Sequence, residues 1–408
     1  MKCRFCKTEL NSIFIDLVNS PASNSFLKPE ELNEPETFYP LKVYTCDACF
    51  LVQVDEYKKS DAIFNSDYVY FSSYSTSWLK HAKAYTDVMT KRFGYNDQSL
   101  VIELASNDGY LLQYFKEKNI PVLGIEPTSN TAEAAIAKGI ESVIDFFGAR
   151  LAKELVAKNI KADLLLGNNV LAHVPDIVDF VAGMKIILKE QGTVTMEFPH
   201  LMQLVGNNQF DTIYHEHFSY LSLTTVQQIF ASQKLEIFDV DEISTHGGSL
   251  RIYAKHKEDD NKPISSNVVA LLKKEADKGM TTLAYYDNFQ QKALKVKYDL
   301  TEFLIQQKKA GKKVAAYGAA AKGNTLLNYC GIKNDLIDFV VDANPHKQNK
   351  FLPASHIPVL NEQHLKDEQP DYVIVLPWNL KEEITEQLSY IKKWDGQFVV
   401  PIPSLQII

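Results

Sequence analysis

Two Cys-x-x-Cys pairs, Cys3/Cys6 and Cys46/Cys49, hold four of the five cysteines of this chain. Two intervening residues let both sulfurs of a pair turn toward one ion, and two such knuckles complete the tetrahedral thiolate shell of a structural zinc. The stretch from residue 7 to residue 45 is a long excursion between the knuckles. A redox dithiol and unmetallated cysteines are the competing readings. A shell closed by Cys3, Cys6, Cys46 and Cys49 leaves no position for a substrate. The metal is therefore expected to be structural, with the chemistry elsewhere.

A chain of 408 residues exceeds what one hydrophobic core usually supports, so two or three domains are expected. Its net charge of -8, from 43 basic and 51 acidic residues, gives no basic surface for nucleic acid. The opening Met1-Lys2-Cys3 leaves no apolar signal stretch, and no run approaches the length of a membrane span. Reduced cysteines on zinc fit a cytoplasmic protein. Cys330, alone between Tyr329 and Gly331, reads as a buried small hydrophobe.

The hydrophobic period divides the chain. Residues 1–65 read as short strands around the metal, with strands at Phe38–Val43 and Leu51–Val54; residues 66–98 are an accessory segment with a helix from Trp78 to about Phe93. From Leu100 to Leu166, buried runs alternate with helical stretches, which argues for a parallel sheet covered on both faces. Strands near 192–197, 235–240 and 249–255 complete a domain over 99–256, the last two expected to pair antiparallel at an edge. Residues 256–266 read as a linker. A third part, 267–408, begins with two helices broken near Gly279 and continues as a second α/β unit. The fold class is α/β: a zinc ribbon with helices, then two Rossmann-like domains.

In Glu103-Leu104-Ala105-Ser106-Asn107-Asp108-Gly109 a strand ends in a turn before a helix. A cofactor over the carboxyl end of such a sheet approaches this backbone closely, and Glu126, closing the next strand, is placed to accept from two ribose hydroxyls. Ala105 and Asn107 stand where a dinucleotide fold prefers glycine, which tilts the pattern from NAD toward S-adenosylmethionine; a plain turn with no ligand remains a third reading. Asn168, Asn169 and His173, after the fourth strand, are candidates for the same pocket, and a packing role for His173 stays open.

The run from Asp211 to Tyr220, with Tyr214-His215-Glu216-His217 at its centre, is the most polar-aromatic stretch. Histidine titrates near neutral pH without unusual burial, and tyrosine hydroxyls can donate to a developing oxyanion. A metal site or a purely structural loop are the alternatives; the HExxH spacing is absent. Thr245-His246-Gly247-Gly248-Ser249 adds a histidine before two glycines.

Taken in order, these motifs resemble the bacterial nucleotide-sugar C-methyltransferases that make branched deoxysugars. The resemblance runs over the whole chain. It takes in the four cysteines, Tyr68-Val69-Tyr70-Phe71-Ser72-Ser73, Glu103 to Gly109, Gly124-Ile125-Glu126-Pro127, Asn169 to Pro175 and Tyr214-His215-Glu216-His217. It continues through His246-Gly247-Gly248-Ser249-Leu250-Arg251, Tyr317 to Asn324 and Pro377-Trp378-Asn379. The resemblance implies S-adenosylmethionine as methyl donor, a structural zinc, and His217 as base, with Tyr214, Glu216 and either Tyr68 or Tyr70 as companions. His246, Ser249, Arg251, Lys322 and Asn324 become candidates for holding the nucleotide-sugar, Lys322 with a solvated scaffold role as its alternative. Ala105 departs from the family's frequent glycine and is tolerable if its φ is negative; Pro377 stands where the family commonly has alanine.

Methylating a sugar carbon requires a carbanion equivalent, so the expected substrate is a nucleotide-linked 4-keto sugar whose C3 proton is acidified by the ketone. His217 would take that proton while Glu216 fixes its ring or favours the imidazolium that forms, and tyrosine hydroxyls would bind the enolate oxygen. An NAD-dependent nucleotide-sugar oxidoreductase and a non-catalytic zinc-ribbon interaction protein are the alternative functions; a monomer and a homodimer are equally compatible.

Overall fold

The computed structural model describes residues 1–59 and 70–408, so Tyr68 lies outside the described residues. Two compact units divide the chain, each drawn from three separate stretches. The first contains Met1–Asn11, Cys46–Leu201 and Phe218–Tyr285; the second contains Ser12–Thr45, Met202–His217 and Tyr286–Ile408.

The first unit is built on a seven-stranded sheet. Its spatial order is Leu235–Ile243, Ser249–His256, Leu188–Pro199, Ala162–Asn168, Val101–Leu104, Val122–Ile125 and Ser142–Val143. Only Ser249–His256 runs against its neighbours. The first strand in sequence, Val101–Leu104, lies inside the sheet, and the chain winds outward from it in both directions. The order reverses between Val101–Leu104 and Ala162–Asn168, which is where open parallel sheets leave a ligand crevice.

Local sequence sets these elements. Helices Leu112–Glu117, Ser129–Ala137 and Ala149–Ala157 end in Lys118-Asn119-Ile120, Lys138-Gly139-Ile140 and Lys158-Asn159-Ile160. In each the central residue is left-handed (φ 59°, 76° and 61°). The following isoleucine amide donates back to Phe115, Ala135 and Leu155 respectively, closing the helix. Helix Thr76–Phe93 is capped by the Ser75 side chain and stopped by Gly94. Its Ala82, Tyr85 and Met89 share one face and pack with Leu111, Phe115, Leu164 and Tyr253 in the core.

The second unit contains a seven-stranded sheet in the order Lys350–Phe351, Pro358–Leu360, Phe339–Val341, Val314–Tyr317, Tyr372–Val375, Gln397–Val400 and Gln406–Ile407. The five inner strands are parallel and the two edges antiparallel. An antiparallel pair, Ser12–Ser20 with Tyr39–Thr45, belongs to the same unit. The broken helical lead-in takes the form of Ser266–Asp277 and Phe289–Lys309.

Two local expectations need correction. The stretch 256–266 is no free linker: Asp259 is buried, its side chain pairs with Lys262 at 2.6 Å, and its carbonyl accepts from Lys255. Its charges neutralise one another, which a reading of composition alone misses. The stretch 381–392, which the sequence pattern predicts as one helix, is α-helical only over Lys381–Gln387 and continues as a tighter turn, Ser389–Trp394. Among the described residues no helix is long and apolar enough to cross a membrane.

Candidate active site

The four cysteines meet in the first unit. Their sulfurs all lie within 4.8 Å of one another, with Cys3–Cys49 at 3.6 Å and Cys6–Cys46 at 3.4 Å. A tetrahedron with zinc–sulfur bonds of about 2.3 Å has edges of about 3.8 Å, so the cluster fits zinc. Each knuckle closes the same way: Lys7 N donates to Cys3 O and Phe50 N to Cys46 O, with Lys7 and Phe50 left-handed. The Cys3 thiol is drawn down to about 4, first by the hydrogen bond from Cys49 and then by Gln53, against burial. A thiolate is the ligand form a metal takes. Arg4 anchors the knuckle, donating to the carbonyls of Pro175 (2.7 Å) and Val54.

At the carboxyl ends of the central strands lies a cradle of buried polar atoms. Glu126 Oε2 accepts from the Asn107 amide and Oε1 from the Thr128 amide, both at 2.9 Å. Burial raises its carboxyl, and the bonds from Thr128 and Asn107 oppose the shift. The Asn107 side chain accepts from Ser72 N and donates to Tyr70 O, holding that segment against the turn. Glu103 is fully buried, neither of its oxygens is matched at hydrogen-bond length, and burial lifts it well above the usual carboxylate range. Ser106 Oγ, Asp108 Oδ1 and both amide atoms of Asn168 are likewise buried and unmatched. Polar atoms in that state call for a partner, and an adenosyl amino acid with hydroxyls and an ammonium supplies suitable ones. Gly109 (φ 75°) has no room for a side chain, since a Cβ would stand 2.4 Å from Ile140. Ala105 has φ 55°, not the negative value its methyl group would favour.

Asn169 and His173 occupy the loop after Ala162–Asn168 as expected, and Asn169 Nδ2 lies 2.7 Å from His246 Nε2. His246 is itself left-handed (φ 52°) and stands edge-on to Trp78 at 5.1 Å. The structure brings His81 into this group, a residue the sequence did not single out. Its ring stacks on Trp78 and its Nε2 meets Glu197 at 2.7 Å. Arg251 is buried against the same Glu197, its guanidinium at 2.6 Å. Ser249 is buried and donates to Thr245 O. Both thus have structural partners in the first unit. Tyr70 is 45% exposed.

The second unit carries the histidine-rich loop. His217 Nδ1 donates to the Thr212 carbonyl at 2.9 Å, which leaves Nε2 with the lone pair of the neutral ring. The Tyr214 hydroxyl lies 3.0 Å from that Nε2. The Thr212 carbonyl and the Tyr214 hydroxyl engage the two ring nitrogens. Glu216, 4% exposed, accepts from Asn24 Nδ2 at 2.8 Å. His215 Nε2 lies 3.1 Å from Pro40 O, a contact that holds the loop to the excursion between the cysteine pairs. Neither Asn24 nor a backbone carbonyl leaves a sequence signature.

Lys322 and Asn324 begin helix Ala321–Cys330 in this unit. Lys322 Nζ donates to Asn379 Oδ1 at 2.6 Å and stands 4.8 Å over the Trp378 ring. Asn324 is buried and donates to Ser23 O. Cys330 is buried as expected, its thiol pushed up to about 12 by desolvation.

A zinc binding domain family matches residues 3–64, a methyltransferase domain family 78–240, and a C-methyltransferase C-terminal domain family 244–403. The C-methyltransferase NovU of Streptomyces niveus is 32% identical over 407 residues, spanning 100% of this chain and 96% of that protein. Among solved structures, magnesium protoporphyrin IX methyltransferase from Synechocystis is 12% identical, with a TM-score of 0.33 over 44% of this chain and 79% of its own. An S-adenosylmethionine-dependent methyltransferase from Anabaena variabilis is 16% identical, with a TM-score of 0.35 over 42% of this chain and 83% of its own.

Proposed function

The chain belongs to the bacterial S-adenosylmethionine-dependent C-methyltransferases with an amino-terminal zinc domain, and from that premise we propose that it methylates C3 of a 4-keto-deoxyhexose nucleotide-sugar. The observation that carries the carbon-methylation reading is the His217 ring, with its Nδ1 proton committed to Thr212 O and its Nε2 beside the Tyr214 hydroxyl. This arrangement supplies a neutral base and an acidic O–H at one point.

His217 Nε2 takes the C3 proton, and the electron pair of the broken C–H bond spreads onto the C4 oxygen. The Tyr214 hydroxyl, adjoining that nitrogen, donates to the oxygen as charge develops there. When bound, S-adenosylmethionine supplies an electrophilic methyl group on a sulfonium; the new C3–CH₃ bond forms as the sulfur–methyl bond breaks, leaving the thioether product. His217 then returns its proton to solvent. Glu126 would accept from the donor's ribose hydroxyls, and Glu103 and Asn168, with their buried unmatched atoms, would help to hold it. Glu216, fixed by Asn24, sets the electrostatics of the loop. Cys3, Cys6, Cys46 and Cys49 would hold zinc with four thiolates, and the ion would contribute folding energy there.

The test is incubation with methyl-labelled donor and a panel of 4-keto-6-deoxy and 4-keto-2,6-dideoxy nucleotide-sugars, read by mass spectrometry. A mass gain of one methyl group, located on carbon by fragmentation, is expected. Label on oxygen or nitrogen, or none on any keto sugar, would defeat the assignment.

A further inference from the structure

Asp211, one residue before the carbonyl that holds His217, is fully buried in the second unit. Its Oδ2 accepts from Trp378 Nε1 at 2.7 Å. Burial lifts the carboxyl to about 6, against the charge of Lys322 and then the bond from Trp378. The Lys322 ammonium in turn lies over the Trp378 ring and is held by Asn379. Trp378 and Asn379 open the turn after strand Tyr372–Val375, and Lys322 the helix after strand Val314–Tyr317. The turn after Tyr372–Val375 therefore holds the carboxylate directly, and the turn after Val314–Tyr317 sets a cation over the indole that holds it.

The next two residues are held as tightly. The Thr212 carbonyl accepts from His217, and the Ile213 carbonyl accepts from Thr325 Oγ1 at 2.9 Å, on the Lys322 helix. Phe210–Thr212 is a single 3₁₀ turn, and Ile213 N returns to Phe210 O. A shift of Asp211 would carry the Thr212 carbonyl with it, and with that the tautomer and aim of the His217 ring.

We infer that Asp211, clamped by Trp378, is a positioning residue that fixes His217 in its Nδ1–H tautomer through the Thr212 carbonyl. The inference rests on His217 being the base.

The test compares Asp211→Ala, Asp211→Asn and Trp378→Phe in the full zinc-loaded chain, by steady-state kinetics and by NMR of ¹⁵N-labelled histidine, with His217→Asn assigning the ring signals. Misplacing a reacting group by about 1 Å costs up to about a hundredfold in rate, so Asp211→Ala should lower kcat about 10- to 100-fold with KM for donor and sugar within about twofold. The His217 nitrogens should leave the Nδ1–H pattern. Asparagine still accepts from Trp378, so Asp211→Asn should bring kcat and the NMR pattern back to within about threefold of wild type. Trp378→Phe removes the donor while filling the space, and should repeat the loss even if the alanine variant does not fold. An unchanged His217 tautomer in the folded alanine or phenylalanine variant, or a loss confined to KM, overturns the inference. Failure of the base reading shows separately, as a His217→Asn enzyme that still turns over.

Discussion

Asn24 Nδ2 donates to Glu216 Oε1 at 2.8 Å, joining two residues 192 positions apart. Asn24 lies in the excursion that separates the cysteine pairs, so this excursion is more than spacer: it satisfies a buried carboxylate in the candidate catalytic loop. A hydrogen bond to a charged group is worth about 1.5–3 kcal/mol. A double-mutant cycle of Asn24→Ala and Glu216→Ala, read by denaturant unfolding, should return a coupling of at least about 1 kcal/mol. Additive effects would remove the link.

Ala105 holds a left-handed backbone at φ 55°. A side chain costs about 1–2 kcal/mol there, while glycine loses about 0.5–1 kcal/mol through the unfolded chain. Ala105→Gly should therefore stabilise the protein by about 0.5–1 kcal/mol, read as a raised denaturant midpoint at constant slope. A loss of stability would mean that the turn adopts another conformation.

Much of this fold was legible in the sequence. The paired knuckles, the alternating strands and helices and the antiparallel pair at one edge of the first sheet all follow from spacing and period, because each is a local regularity of residue type. The assembly of each compact unit from three separated stretches is not local, and nothing in Ser12–Thr45 announces that it shares a unit with Tyr286–Ile408. The site divides the same way. Tyr214, Glu216 and His217 stand out as residue types, but the partner of His217 Nδ1 is a backbone carbonyl, a group every residue carries. The left-handed φ of Ala105 leaves no mark in the sequence, because a small side chain can take either hand at a cost of about 1–2 kcal/mol.

For the metal, Cys46→Ser should lower both zinc content and thermal stability, because a four-thiolate zinc contributes to folding. Metal analysis of the purified wild type should give stoichiometric zinc. A variant with native stability and a selectively abolished chemical step would show that the cysteines act in catalysis.

Glu126→Ala should weaken S-adenosylmethionine binding about ten- to hundred-fold, the loss of a charge-assisted hydrogen bond of about 1.5–3 kcal/mol. The structure adds a second reason, since Glu126 also holds the amides of Asn107 and Thr128 in place. Calorimetric titration measures this directly. Unchanged affinity would take the carboxylate out of the donor site.

The central claim is that His217 removes a carbon-bound proton, and the most direct measurement is solvent deuterium exchange at C3 of a 4-keto nucleotide-sugar with no methyl donor present. The wild type should exchange that position. His217→Asn, folded and with unchanged donor affinity, should lose the exchange together with methyl transfer, both by about 10²–10⁴-fold, the range for removing a general base. Exchange at the wild-type rate in His217→Asn would contradict the account and turn attention to another base in the molecule.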